Sequence, residues 1–268
     1  MVQIQRRIAA AGGFRPRATE VKFGFSEDGS LPAVVITTPK GRRVQIRGII
    51  DRVDLAEVAD EMLGVVIDYK SRRDPKLDLS EVYYGLSLQL LGYLLALAEQ
   101  GETLAGRPVR PVGAFYISLR EQYSLVAHPT LHADEPSVKQ SAYRPRGVLD
   151  VDRVEALDEE WPGHGSSTVY AVHKKKDGEL GYVEFSDGVT ANDYAALLGH
   201  TRHKLGELAD GVLDGEVAVK PYRLGEASPC TWCSFGAVCR FESGESDMRF
   251  LESLKRSEVL EALRRDRG

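Results

Sequence analysis

The sequence predicts a mixed α/β domain in which helices flank a central sheet. Short runs of apolar and β-branched residues at 20–25, 33–38, 43–55, 63–70 and 112–119 indicate strands. The stretch 86–98 is apolar almost without a break and is long enough for a helix through the core. Strands, a core helix and a further strand in this order are typical of an α/β fold.

The remaining elements follow from turn and periodicity signals. Residues 1–17 are basic and show little periodicity, so we predict a frayed entry there. Turns at 27–30 and 39–41 separate the first strands, and the run LGVVIDYK at 63–70 is typical of a strand buried on both faces. Residues 120–165 carry four of the twelve prolines and little regular signal. An amphipathic helix is predicted at 191–213, ending at Gly215, and a charged terminal helix at 251–265.

Composition excludes several classes of protein. The 268 residues are 43% hydrophobic and carry a net charge of −5, which argues against a protein that coats nucleic acid by charge alone. No apolar run reaches the ~18 residues of a membrane span, and the N-terminus lacks the apolar region of a secretory signal. All three cysteines fall within ten residues, which indicates a reduced, cytoplasmic chain with a metal-type cluster.

Two strands end in charged residues. Asp51 lies in GIIDRVD, and Asp68 and Lys70 lie in VIDYK, where the alternation of a strand places them on one face. Two carboxylates would supply the hard oxygen ligands that Mg²⁺ or Mn²⁺ prefers, and Lys70 would orient or activate the nucleophile of a metal-dependent hydrolase. Gln89 and Tyr93 stand one helical turn apart on the apolar helix and face the same way.

Each of these signals also has a plain structural interpretation. An Asp-x-Lys triplet alone fits a salt-bridged strand end facing solvent, and a lone glutamine fits a satisfied polar group of the core. The four features together favour the hydrolase. His200 and His203, at i and i+3, and the run at 174–176 fit solvated surface better than a metal site or a phosphate contact.

The ordered set GIIDRVD, VIDYKS and QLLGY resembles the PD-(D/E)xK nuclease superfamily, specifically its RecB-like branch. Within it the similarity is to the nuclease domains of AddB-type subunits of bacterial helicase–nucleases. FGFSEDGSLPAVVI at 23–36, YRPRGVLD at 143–150, GEVAVKPYRLG from Gly215 and SPCTWCSFGAVCRF from Ser228 carry that similarity. It implies a restriction-endonuclease-like core over 18–228, followed by a cysteine loop and terminal helix over 229–268.

The resemblance also implies roles for single residues. Asp51, Asp68 and the backbone carbonyl of Tyr69 would bind the metal, with Lys70 and Gln89 completing the catalytic set. The branch often adds a histidine upstream of the first strand. No histidine precedes His128 here, and Glu20 is the nearest upstream carboxylate that could substitute.

The cysteine loop is the second implied cofactor site. Cys230, Cys233 and Cys239 have a spacing that chelates soft metals. The resemblance implies a 4Fe-4S cluster whose fourth cysteine lies far upstream, and this chain has no fourth cysteine. The chain is therefore expected to start downstream of that ligand, and an incomplete cluster, zinc with a histidine, or no metal all stay open.

By resemblance, the expected function is exonucleolytic cleavage of single-stranded DNA in double-strand break repair, with an AddA-type helicase–nuclease as partner. The sequence contains no G-x-x-x-x-G-K-[ST] loop, so we expect no ATP binding by this chain. Two rivals remain: an inactive nuclease-fold module for DNA docking or assembly, and a stand-alone RecB-like exonuclease, which fits the segment from Gly215 less well.

Overall fold

A six-stranded mixed sheet forms the centre of the structure. The computed structural model describes residues 2–72, 74–120, 144–242 and 247–265, with side chains from Arg6 onward. The strands are β1 (Arg15–Phe23), β2 (Val34–Thr37), β3 (Arg43–Ile46), β4 (Gly48–Val58), β5 (Glu61–Lys70), β6 (Val109–Ser118), β7 (Arg146–Asp150), β8 (Gly165–Ser166), β9 (His173–Lys174), β10 (Gly188–Val189), β11 (Tyr222–Leu224) and β12 (Arg249–Leu251). The α-helices are α1 (Val2–Ala11), α2 (Leu79–Tyr83), α3 (Gln89–Ala105), α4 (Val154–Leu157), α5 (Ala191–Leu213), α6 (Gly236–Cys239) and α7 (Arg256–Arg265), with 3₁₀ turns at Val151–Arg153 and Pro229–Thr231.

The strand order of the sheet is β1-β4-β5-β6-β7-β10. β1, β4 and β5 form an antiparallel meander, whereas β5 and β6 are parallel. Parallel neighbours need a crossover connection, and α3 provides it. A mixed sheet flanked by helices confirms the predicted fold class.

Helices cover both faces of the sheet. On one face, α3, α5 and α7 pack on the larger hydrophobic cluster, to which Val66 contributes. On the other face, Val65 and Ile67 join a second cluster with Ile8 of α1. β5 is therefore buried on both sides, which explains why its residues 63–67 are apolar without alternation.

Two glycines let α3 lie close to the sheet. A Cβ atom on Gly64 of β5 would come within 2.6 Å of Val109 Cγ1, and one on Gly101 of α3 within 2.7 Å of Val109 Cβ. Contacts this short are not tolerated, so any side chain at either position would push the helix away from β5 and β6. The position of the helix that carries Gln89 thus depends on both glycines.

Several boundaries differ from the sequence predictions. The predicted frayed entry at 1–17 is wrong: residues 2–17 contain α1 and the start of β1, with Ile8 buried and the Gly13 N–H donating to the Ala156 carbonyl. The run 43–55 divides into β3 and β4, and α3 extends to Ala105 because its last turns, although polar, continue the helix to the left-handed C-cap at Gly106. Between 120 and 165, β7 and α4 are ordered elements, while 121–143 lie outside the described residues.

The C-terminal helix belongs to the packing of the larger cluster. Val259, Leu260 and Leu263 of α7 are buried there against α5. The sequence-based division into 18–228 and 229–268 stays a prediction. None of the helices in the described part of the chain combines the length and apolar character needed to cross a membrane.

An ion pair between the buried Asp193 and the exposed Arg264 joins α7 to α5. Arg264 donates from Nε and Nη2 to the two oxygens of Asp193 at 2.6 and 2.8 Å. Burial opposes the charge of Asp193, but the hydrogen bonds from Arg264 and Thr190 outweigh it and lower the pKa of Asp193. A lowered pKa means that the pair contributes stability above the ordinary aspartate pKa and loses it as the pH falls through the lower folded-state value.

We therefore expect Arg264→Met to lower the free energy of unfolding at pH 7 by about 1 kcal/mol, a figure that allows for the solvent exposure of Arg264. The difference should shrink as the pH falls below the ordinary aspartate pKa, and urea unfolding at neutral and acidic pH measures it. Arg265→Met is the matched control, because Arg265 pairs only with Glu261 on the helix surface. Equal losses for both variants, or a pH-independent loss, would contradict this account.

Candidate active site

Asp51 and Asp68 lie where β4 and β5 part. The antiparallel ladder between these strands ends at the pair Arg52 and Ile67, one step before the two aspartates would stand opposite each other. There the Asp51 side chain replaces the ladder and accepts a hydrogen bond from the Tyr69 N–H at 2.8 Å. The N–H and C=O of one residue in a strand point to the same side, so the Tyr69 carbonyl also faces β4. Both carboxylates and this carbonyl thus lie together where β4 and β5 separate.

Asp68 is a buried carboxylate with spare acceptor capacity. Its side chain is 3% exposed, and its Oδ2 lies 2.7 Å from Lys70 Nζ. That contact has ion-pair distance without hydrogen-bond geometry, and no other group in the described residues donates to Oδ2. Burial raises the pKa of Asp68, with a further contribution from the charge of Asp51, while Lys70 opposes the shift. Such an oxygen is suited to accept a further cation.

Lys70 is held by contacts from two elements. Its Nζ donates to Gln89 Oε1 at 2.9 Å and stands 5.1 Å from the centre of the Tyr116 ring on β6. Gln89 Nε2 in turn donates to the Tyr93 hydroxyl at 2.8 Å. The first turn of α3 therefore fixes the ammonium beside Asp68, and the structure brings together all four predicted catalytic side chains.

A buried pair supports the site from the opposite face of the sheet. Arg52 donates from Nε to Asp54 at 2.6 Å and from Nη1 to the Tyr69 hydroxyl at 3.1 Å. Burial disfavours the charge of Arg52, but Asp54 outweighs it and raises the pKa of Arg52. The Tyr69 ring is anchored on one face while its backbone carbonyl belongs to the candidate site. The position of Arg52 within GIIDRVD does not by itself indicate this role.

Arg72 is a second residue that the sequence analysis missed. It lies two residues beyond Lys70 and is exposed, and its positive charge opposes the rise that burial causes in the pKa of Asp68 and Tyr116. No ion pair joins Arg72 to another described residue. A cation that is near the carboxylates but not neutralised by them is placed to meet an anionic substrate.

Glu20 lies on the neighbouring strand β1. Thr19 pairs with Arg52 and Val21 with Ile50, so the register places Glu20 beside Asp51. Its backbone is left-handed, with φ at 50°, and its side chain is exposed. Its charge adds to those of Asp68 and Asp51 in raising the pKa of the Tyr93 phenol, behind the larger effect of burial.

The donor set fits a hard divalent cation. Among the described residues, no three histidine, cysteine, aspartate or glutamate side chains converge into a ready-made metal cage. Two carboxylates, one with an oxygen that lacks a hydrogen-bond donor, and a backbone carbonyl suit Mg²⁺ or Mn²⁺, because Mg²⁺ keeps several waters and needs few protein ligands.

The cysteine loop lies apart from these residues. Cys230, Cys233 and Cys239 are all exposed, and their thiols do not converge within the described structure. Cys233 Sγ accepts a hydrogen bond from the Phe235 N–H at 3.4 Å. The neighbouring Trp232 and Phe235 are 78% and 69% exposed.

The two histidines of α5 have other partners. His200 Nε2 lies 3.0 Å from the Tyr83 carbonyl, and its ring stacks on that of Tyr83. His203 Nε2 lies 3.1 Å from Glu207. They do not form a joint metal site among the described residues; His203 is exposed, whereas His200 is half-buried against Tyr83.

Comparisons with known proteins agree with this geometry. The family model of the PD-(D/E)XK nuclease superfamily matches residues 1–240. Similar curated proteins are named as the B subunit of an ATP-dependent helicase/deoxyribonuclease. Identity is 34% over 263 residues in Bacillus licheniformis, 31% over 271 residues in Bacillus cereus and 32% over 259 residues in Lysinibacillus sphaericus, which covers 96%, 99% and 94% of this chain.

A mixed α/β fold with two carboxylates and a lysine at the ends of neighbouring strands is the arrangement expected of a nuclease. The chain belongs to the PD-(D/E)XK nuclease superfamily. It spans 22–23% of the length of these curated relatives, so the similarity concerns one part of a larger protein in each of them.

Proposed function

We propose that the chain is a metal-dependent DNA nuclease that hydrolyses phosphodiester bonds. The observation that carries the proposal is the convergence of Asp51, Asp68, Lys70 and Gln89 where β4 and β5 separate, with a buried Asp68 oxygen that lacks a hydrogen-bond donor. Membership of the nuclease superfamily and the deoxyribonuclease relatives support it.

Asp51, Asp68 and the Tyr69 carbonyl would hold Mg²⁺ or Mn²⁺. When bound, the metal would polarise the scissile phosphate and acidify a water. Lys70 has three donors and no acceptor, so beyond its bond to Gln89 it can donate to the attacking water and to a non-bridging phosphate oxygen. Water then adds to phosphorus while the bond to the leaving sugar oxygen breaks, and that oxygen takes up a proton.

Gln89 would act as a positioning residue for Lys70. We expect Gln89→Ala to lower kcat about 10- to 100-fold with little change in KM for DNA, because the ammonium loses its acceptor and drifts from the reacting atoms. Tyr93→Phe is the matched comparison: it keeps Gln89 and removes only the phenol oxygen that Gln89 donates to, so a smaller loss is expected. Equal kcat for wild type and Gln89→Ala would refute the assignment.

The names of the relatives suggest the setting of the reaction. The B subunit of an ATP-dependent helicase/deoxyribonuclease implies a second subunit, so we propose an AddA-type helicase–nuclease as partner and single-stranded DNA as substrate in double-strand break repair. The net charge of −5 fits a chain that receives DNA from a partner.

We also propose that the cysteine loop binds an iron–sulfur cluster or zinc. The Cys-x-x-Cys spacing and the N–H donated to Cys233 Sγ support it. The thiols would need to approach one another on binding, which an exposed loop allows.

The test is cleavage of end-labelled single-stranded and duplex DNA by the chain with Mg²⁺, Mn²⁺ or EDTA, with iron and zinc measured on the same preparation. Metal-dependent cleavage faster on single strands supports the proposal. A folded chain that cleaves neither substrate, alone or with an AddA-type partner, would instead favour the docking module.

A further inference from the structure

A polar cavity lies on the same face of the sheet as the candidate active site. It encloses about 280 Å³ and is bordered by the segment that follows β5, by the start of β7 and by the N-terminus of α7. Leu77 and Leu79 of its wall belong to the same hydrophobic cluster as α3. The cavity and the catalytic face of the sheet are therefore two parts of one surface.

The sheet register fixes the distance between them. Asp68 pairs with Tyr116 on β6, and Tyr116 pairs with Arg146 on β7, which lines the cavity. Two interstrand steps separate Arg146 from Asp68, or about 10 Å between their backbones. Arg72 lies near both Asp68 and Tyr116, so a line of cations runs from Lys70 towards the cavity.

The cavity is lined by four basic and four acidic side chains, which balance in formal charge. Lys76 and Lys255 line it, are exposed and make no ion pair within the described part of the chain. Arg256 donates from Nη2 only to the backbone carbonyl of Asp187, and its buried Nε has no acceptor among the described residues.

Three of the four carboxylates around the cavity are already engaged. Asp187 accepts from Arg146 and from the Gly147 N–H. The other two accept backbone N–H groups: Asp78 from Ser80, and Glu184 from Arg256 and Ser257. Since Lys76 and Lys255 make no ion pair in the described part of the chain, their ammonium groups are open to a ligand from solution.

A turn beside the cavity presents two aromatic rings to solvent. Phe185 lines the cavity and is 79% exposed, and Tyr182, in the same turn, is 70% exposed. The N–H groups of Phe185 and Ser186 both donate to the Tyr182 carbonyl, and Tyr182 adopts a left-handed backbone with φ at 51°. A strained turn with two exposed rings is not explained by core packing.

We propose that this cavity and turn form a second contact site for single-stranded DNA, with Lys76 and Lys255 binding a backbone phosphate and Phe185 stacking on a base. Cations combined with aromatic platforms are the usual means of binding single strands without sequence preference. The inference rests on the proposed function only in its choice of substrate.

The test measures binding separately from chemistry. Fluorescence anisotropy of a labelled single strand of roughly 12 nucleotides is recorded with the full chain, with Ca²⁺ in place of Mg²⁺. We expect Phe185→Ala to weaken binding about 10-fold. The pair Lys76→Ala and Lys255→Ala should weaken it by a similar factor and reduce its salt dependence.

Matched controls lie elsewhere on the surface. Phe250→Ala removes an equally exposed ring, and Lys175→Ala with Lys176→Ala removes the same charge from an exposed turn. Both should stay within about twofold of wild type. Wild-type affinity in the cavity variants, an equal loss in the controls, or no binding by the wild type would overturn the inference; the first result would leave the aromatic turn to a protein partner.

A small phosphodiester separates this inference from the proposed function. Bis(p-nitrophenyl) phosphate is too short to reach the cavity, so its Mn²⁺-dependent hydrolysis reports the catalytic site alone. Hydrolysis should be unchanged in the cavity variants. A wild type that binds the oligonucleotide through Phe185 but hydrolyses neither substrate would refute the nuclease and keep the second contact site.

Discussion

Replacing Asp68 or Lys70 by alanine is expected to reduce metal-dependent DNA cleavage by at least about 1,000-fold, or roughly 4 kcal/mol of transition-state stabilisation. Asp68→Ala removes the buried oxygen that lacks a hydrogen-bond donor, and Lys70→Ala removes the ammonium 2.7 Å from it. Initial rates on end-labelled single-stranded DNA at saturating Mn²⁺ measure the loss.

Asp60→Ala is the matched control for these two variants. Asp60 is an exposed carboxylate in the turn at the opposite end of β4 and β5, so it leaves the site untouched. Its cleavage rate should equal that of the wild type. Asp68→Ala or Lys70→Ala proteins that fold and still cleave within about tenfold of the wild-type rate would refute the proposed catalytic set.

The second large effect concerns stability and metal together. The raised pKa of Asp68 shows that its charge is disfavoured in the fold, so the contribution of this group to stability is lost as the pH rises through that value. Asp68→Asn is therefore expected to raise the free energy of unfolding at pH 7 by about 1 kcal/mol, and the gain should fade towards acidic pH.

Metal should stabilise the wild type and not this variant. At ten times its Kd, a ligand specific for the folded state contributes about 1.4 kcal/mol, which raises Tm by roughly 3–5 °C in a chain of this size. Thermal unfolding with and without Mn²⁺ measures both effects, with Asp60→Asn as control. A shift of equal size in Asp68→Asn would place the metal elsewhere.

The sequence predicts the elements whose signals are local. The helix Ala191–Leu213 has the predicted bounds, and the Val- and Ile-rich run before Asp68 is the doubly buried strand that its lack of alternation indicates. The prediction for the N-terminal segment was wrong, because α1 is held by tertiary contacts such as the hydrogen bond from the Glu159 N–H to the Ala11 carbonyl, which periodicity does not reveal.

The proximity of the proposed catalytic residues was predictable because they lie at fixed spacings on neighbouring elements. Strand alternation and one helical turn suffice to bring Lys70 to Asp68 and Gln89 to Tyr93. The role of Arg52, the charge of Arg72 and the cavity around Arg146 were not, since each depends on contacts between segments far apart in the chain.

The parallel pairing of β5 and β6 through α3 has a consequence for the order of folding. All proposed catalytic side chains lie on β4, β5 and α3, three neighbours along the chain, with α2 between β5 and α3. Contacts of short sequence separation form fastest, so during synthesis the catalytic half can assemble on the ribosome before residues 144–265 emerge. The second contact site, built from residues 74–79, 146 and 184–187 together with 254–256, closes only after residues 254–256 have emerged. We therefore expect a nascent chain to form the proposed catalytic site before it forms the second contact site for DNA.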